Sequence, residues 1–136
     1  MRSKNLICLD VGEKRIGVAV ADESVRIAMP YETIDVDGSE LEAISKIIEQ
    51  QQPGVVVIGY PRNQAGETTA QTHYVEEFAK KLEAIELEIV FQDESLTSVM
   101  AEDRLKAHNR PYAKADIDAQ AATIILQDYL ESKYVK

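Results

Sequence analysis

The chain has 136 residues, 45% apolar and 29% charged, which suits one globular domain with a substantial core and excludes a disordered polymer. Fifteen basic against twenty-four acidic residues leave a net charge of −9, which argues against general affinity for nucleic acid, so any phosphate contact needs locally clustered charge. The single cysteine, Cys8, rules out a disulfide framework and suits a buried, reduced thiol in a cytoplasmic protein.

Arg2 and Lys4 precede a short apolar run, but Asp10 interrupts it before it reaches the length of a signal core. No stretch approaches membrane-spanning length, so no membrane partner is expected. Residues 5–11 and 14–21 read as two apolar strands joined by a tight turn at Gly12. Arg26 to Tyr31 suits a third strand ended by Pro30. Asp35-Val36-Asp37-Gly38 is turn chemistry. Ser39 followed by Glu42 is a capping-box signature. Leu41, Ile44, Ile47 and Ile48 then mark one face of a helix that stops near Gln52-Pro53-Gly54. Val55 to Ile58 is a continuous β-branched run, as in a strand covered on both faces. Gly59 to Gly66 reads as a loop, Glu67 to Ala84 as a helix, and Leu87 to Gln92 as a strand. Thr97 or Ser98 could cap a helix running to about Lys106. His108 to Ala115 is a polar loop, and the last helix spans about Ile117 to Leu130. The order β-β-β-α-β-α-β-α-α predicts a three-layer α/β fold on a mixed sheet.

One carboxylate, Asp10, sits inside the first apolar run, where it is costly unless paired, hydrogen-bonded or bound to a cation. Ligands of such sheets gather outside the carboxyl ends of the parallel strands. Asp10 lies at that end of its strand, and the strand from Leu87 exits into Asp93 and Glu94. Spacing alone balances a shared site against solvated turn residues for that pair. Asp118, Ala122, Ile125 and Tyr129 share one helical face, so Asp118 starts a buried stripe. A capping role is the plainer reading of Asp118 by itself, and Asp116 suits a cap or a solvated position. Three convergent acids repel one another and need a cation to stay ionised together. Oxygen-only ligands suit Mg²⁺ or Mn²⁺, and two such ions can drive phosphodiester hydrolysis. His73 reads as a surface or packing residue.

From Arg104 to Lys114 the chain carries four positive charges and no acid, immediately before Asp116 and Asp118. Arg110 and Lys114 in that stretch, with Lys14, Arg15 and Arg62 on nearby turns, are candidates for backbone phosphate contacts. Tyr112 could stack on a base. The alternative is that these charges are simply solvated.

Leu9 to Val20, Val57 to Pro61 with Gly66, Asp93 to Ser98 with Ala101-Glu102, and Asp118 to Ala122 with Ile125 to Leu130 together resemble the YqgF (RuvX) family. Its members are described as pre-16S rRNA nucleases or as Holliday-junction-resolvase-like proteins. The resemblance spans nearly the whole chain in order. It implies one ribonuclease-H-like domain over residues 1–136, with a five-stranded sheet and helices on both faces. It implies a metal-dependent nuclease with Asp10, Glu94 and Asp118 as catalytic and metal-holding acids. It also implies action on the 5′ end of precursor 16S rRNA in the ribosomal subunit precursor, with structured DNA junctions as the older inference. Two positions depart from the family pattern: Ser95 where a basic residue is usual, and Glu13 where threonine or serine is common.

Two other readings stay open from the residues alone. One is a non-catalytic RNA- or ribosome-binding module on the same fold. The other is a nucleotide-binding phosphotransferase of the actin and sugar-kinase type, which needs two lobes and far more chain. The sequence leaves a monomer and a homodimer equally open.

Overall fold

A computed structural model describes residues 5–85, 87–94, 103–107 and 114–134. The strands are β1 (Asn5–Val11), β2 (Arg15–Asp22), β3 (Met29–Asp35), β4 (Val55–Pro61) and β5 (Glu88–Glu94). The helices are α1 (Glu40–Gln51), α2 (Ala70–Leu82) and α3 (Lys114–Tyr134), and a short 3-10 turn, Glu83–Ile85, follows α2. Residues 103–107 are also helical; the rest of the helix expected from Thr97 lies outside the described residues.

The sheet runs β3-β2-β1-β4-β5. β1 pairs antiparallel with β2 and parallel with β4, β2 pairs antiparallel with β3, and β4 pairs parallel with β5. β1 is therefore central, and its alternation sends Ile7, Leu9 and Val11 to one face and Leu6 and Cys8 to the other. The first set packs with Ile44 and Ile47 of α1 and with Val75, Phe78 and Leu82 of α2. The second packs with Ala122, Ile125, Leu126 and Leu130 of α3. This is the three-layer mixed α/β fold expected from the pattern.

Several boundaries differ from the sequence expectation, each for a physical reason. β3 begins at Met29 and runs through Pro30 to Asp35 instead of ending at the proline. Pro30 stands opposite Ala19, where the register slips between Val18 and Ala19, on an edge strand that tolerates a missing donor. Asp35 accordingly belongs to the strand. The capping box at Ser39 does not form: its hydroxyl donates to Asp37 Oδ1 at 2.6 Å, and α1 starts without a side-chain cap. α2 starts later than Glu67, because Thr69 caps it and forms a reciprocal box with Thr72. Gly59 to Pro61 extend β4, and Asp93 and Glu94 extend β5, so the parallel strands reach further toward one edge. α3 begins at Lys114, which moves Lys114 and Ala115 from loop into helix. Among the described residues, no helix is long and apolar enough to cross a membrane.

Candidate active site

The turn after β1 places the first acid. The Gly12 amide donates to the Arg15 carbonyl at 3.0 Å and closes the β1–β2 hairpin. A Cβ at Gly12 would stand 2.8 Å from that carbonyl, so the tight turn requires glycine. Asp10, just before the turn, pairs across the ladder with Gly17.

Gly17 positions the second acid. A methyl there would run into the Asp118 carbonyl and lie 3.0 Å from the Ala119 amide nitrogen. The backbone of α3 thus rests directly on β2, next to the partner of Asp10. Asp118 is the fifth residue of α3, so it sits in the second turn and does not cap the helix. Ala122 and Ile125 on the same stripe are buried, as the periodicity implied. Asp116, in the first turn, is exposed.

Gly59 makes room for the third acid. A Cβ at Gly59 would overlap Glu94 Oε2 and approach Ile125 Cδ1 to 2.9 Å. Glu94 therefore turns under α3 onto the face that carries Asp10 and Asp118. Asp93, one residue earlier, points the other way, exposed and paired with Arg62 at 3.0 Å. The pair that spacing left undecided thus divides into one inward and one solvated acid.

The electrostatics agree with this placement. Burial pushes the Asp10 carboxyl up from 3.8 to about 7, with the charge on Asp118 adding to it. Burial likewise pushes Glu94 from 4.5 to about 8, with Asp10 adding to it. Cys8, buried and free, has its thiol pushed up by burial and then by Asp10 and Glu94. Glu94 Oε2 is buried and has no hydrogen-bond partner. An orphaned carboxylate oxygen is an expensive thing to bury, and an all-oxygen donor set beside it is chemically suited to a hard divalent cation. Among the described residues, no three His, Cys, Asp or Glu side chains form a ready cation cage as they stand. Arg15 accounts for part of this, because its Nε donates to Asp118 Oδ2 at 2.6 Å.

The basic candidates fall into three groups. Arg15 faces the acids and serves as counter-charge to Asp118. Lys14 is exposed on the rim of a cleft of about 360 Å³ lined by Gly12, Glu13, Arg15, Gln71 and Asp118. Arg62 is engaged by Asp93 and donates to the Gly66 carbonyl. Arg110, His108, Tyr112 and Ser95 lie outside the described residues, as does the side chain of Lys114. His73 is a surface residue 3.4 Å from Glu76. Sequence reasoning missed the Arg15–Asp118 pair, whose members are 103 residues apart.

The order and directions of the strands define a ribonuclease-H-like fold, shared with junction resolvases. The RuvC of T. thermophilus bound to a Holliday junction superposes with a TM-score of 0.58 at 13% identity, covering 96% of each chain. The yeast mitochondrial Holliday junction resolvase superposes with a TM-score of 0.60 at 10% identity, over 94% of this chain and 78% of the other. At the sequence level, a family model described as "RuvX: Holliday junction resolvase" matches residues 4–132. A protein of Chloroflexus aurantiacus named "Putative pre-16S rRNA nuclease" is 40% identical over 98% of this chain and 90% of its own. A protein of the same name from Gloeobacter violaceus is 42% identical over 96% and 86%. The chain belongs to the RuvX (YqgF) family.

Proposed function

We propose that this protein is a nuclease that hydrolyses RNA phosphodiesters, with residues 1–136 acting as one nuclease domain in the cytoplasm. The substrate in this reading is precursor 16S rRNA within the ribosomal subunit precursor, cut toward its 5′ end. The single observation that carries the reading is Asp10: a half-buried carboxylate in a central strand, with Glu94 and Asp118 delivered to the same face. Family membership and the names of the relatives support RNA as the substrate.

Asp10, Glu94 and Asp118 would hold the cation. When bound, Mg²⁺ or Mn²⁺, as one ion or a pair, would offset the charge of the scissile phosphate and acidify the attacking water. The chain's own residues do the rest. The buried Glu94 Oε2 offers an uncommitted acceptor. Arg15 fixes the orientation of Asp118 by a charge-assisted hydrogen bond. Lys14 stands on the rim of the adjoining cleft, where a backbone phosphate would enter. Arg110 and Lys114 are further candidates for phosphate contacts, while Arg62 is held by Asp93.

The test is cleavage of a precursor rRNA fragment with Mg²⁺ or Mn²⁺, using Asp10→Asn as control. Cleavage should require the metal and fall at least about a hundredfold in the variant. Equal activity from Asp10→Asn would assign the cutting to another site. The description of the family model and the resolvase fold favour a second reading, hydrolysis of branched DNA. A four-way junction assayed alongside the RNA decides between them. Binding of precursor RNA without cutting, at any metal concentration, would instead indicate a non-catalytic module.

A further inference from the structure

The carboxylate edge has a second cleft beside it that the acids do not use. It is about 450 Å³ and is lined by Tyr60, Arg62, Glu76, Phe91, Gln92 and Asp93. Phe91 is 44% exposed, which is unusual for a phenylalanine on a strand. Its ring meets Tyr60 edge to face, with centroids 5.1 Å apart at 63°. The Arg62 guanidinium lies 4.8 Å above the Tyr60 ring and is steadied by Asp93. The result is an ordered patch of two rings and one planar cation, open to solvent on the edge strand β5.

Aromatic faces and guanidinium planes are the surfaces on which unpaired bases stack. We infer that this cleft is a subsite for an unpaired nucleobase of the RNA flanking the cut, with Phe91 as its stacking platform. The inference rests on the reading of RNA as substrate. Two features favour a base over a phosphate. Glu76 and Asp93 line the cleft and would repel a phosphate, while accepting hydrogen bonds from the amino group of a base. The position also suits a strand that passes the acids. Phe91 precedes Glu94 by three residues, about 10 Å along β5, and lies on the opposite face. An RNA strand crossing the sheet edge would present one nucleotide to each side. Helix α2 walls both clefts, through Gln71 on the side of Asp118 and Glu76 on the side of Phe91.

The experiment uses a short single-stranded RNA carrying 2-aminopurine at successive positions, bound in EDTA so that it stays intact. Wild type should quench the fluorescence at one position. Phe91→Leu should abolish that quench and weaken binding about tenfold, while Phe91→Tyr retains both. An abasic nucleotide at the same position should make Phe91→Leu silent. Equal affinity of wild type and Phe91→Leu, with no quenched position, would overturn the subsite and leave the nuclease reading standing. Failure of wild type to bind any RNA, in EDTA and in Mg²⁺ alike, would overturn both. A change in sedimentation on Phe91→Leu with RNA binding unaffected would make this edge a protein interface and overturn the subsite. Circular dichroism of each variant confirms that it is folded.

Discussion

In the absence of metal, the buried acids should make this protein less stable as pH rises. Asp10 and Glu94 have carboxyls pushed up to about 7 and about 8 in the fold, from 3.8 and 4.5. A group raised by folding binds its proton more tightly in the native state. Its contribution is therefore fully present below pH 4 and is lost as pH rises through about 7 to 8. For Asp10 alone the shift corresponds to roughly 4 kcal/mol. Asp10 in turn raises Glu94, so part of the two losses is shared and they do not simply add. Urea unfolding in EDTA at pH 5 and pH 8.5, on wild type and Asp10→Asn, measures it. The asparagine cannot ionise, and its loss also relieves Glu94. Wild type should lose about 2–3 kcal/mol more than the variant between the two pH values, a relative midpoint shift of about 1–2 M urea. General repulsion from the net charge affects both proteins and cancels in the difference. Equal pH slopes in the two proteins would refute the claim that Asp10 is buried beside other acids.

Three substitutions probe the placement of the acids. Gly17→Ala should destabilise by about 1–3 kcal/mol, read as a drop of several degrees in Tm, because the methyl meets the backbone of α3. The atoms nearest a methyl in Gly59→Ala belong to the movable side chains of Glu94 and Ile125, so it should cost about 1 kcal/mol or less and yet weaken Mn²⁺ binding about tenfold by calorimetry. Arg15→Gln should lower stability by about 1–2 kcal/mol in EDTA, with the deficit shrinking in saturating Mn²⁺ as the ion takes over the charge of Asp118. A deficit unchanged by Mn²⁺ would mean that Asp118 does not contact the ion.

The sheet was legible because its central strands are written in runs that allow one reading. Val55 to Ile58 is continuously β-branched, and β1 and β2 flank a turn that needs Gly12. β3 was harder, since Pro30 looks like a terminator until its edge position and the slipped register are known. Ser39 and Glu42 have the right spacing for a box, but Asp37 is nearer and takes the hydroxyl. For the site, Asp10 stood out as a charge in an apolar run. Spacing did not separate Glu94 from Asp93; the family resemblance singled out Glu94, and the gap left by Gly59 in another strand gives the room it occupies. Arg15 could equally have faced solvent or phosphate. Its partner is brought near by the packing of α3, which no local pattern encodes.

The meeting of Gly17 with the Asp118 carbonyl has a bearing on how such proteins diverge. Two main chains in contact set a separation that does not depend on the size or shape of surrounding side chains. Apolar neighbours can be exchanged for others over long evolutionary times while the gauge between residues 10 and 118 stays constant, provided that position 17 carries no side chain.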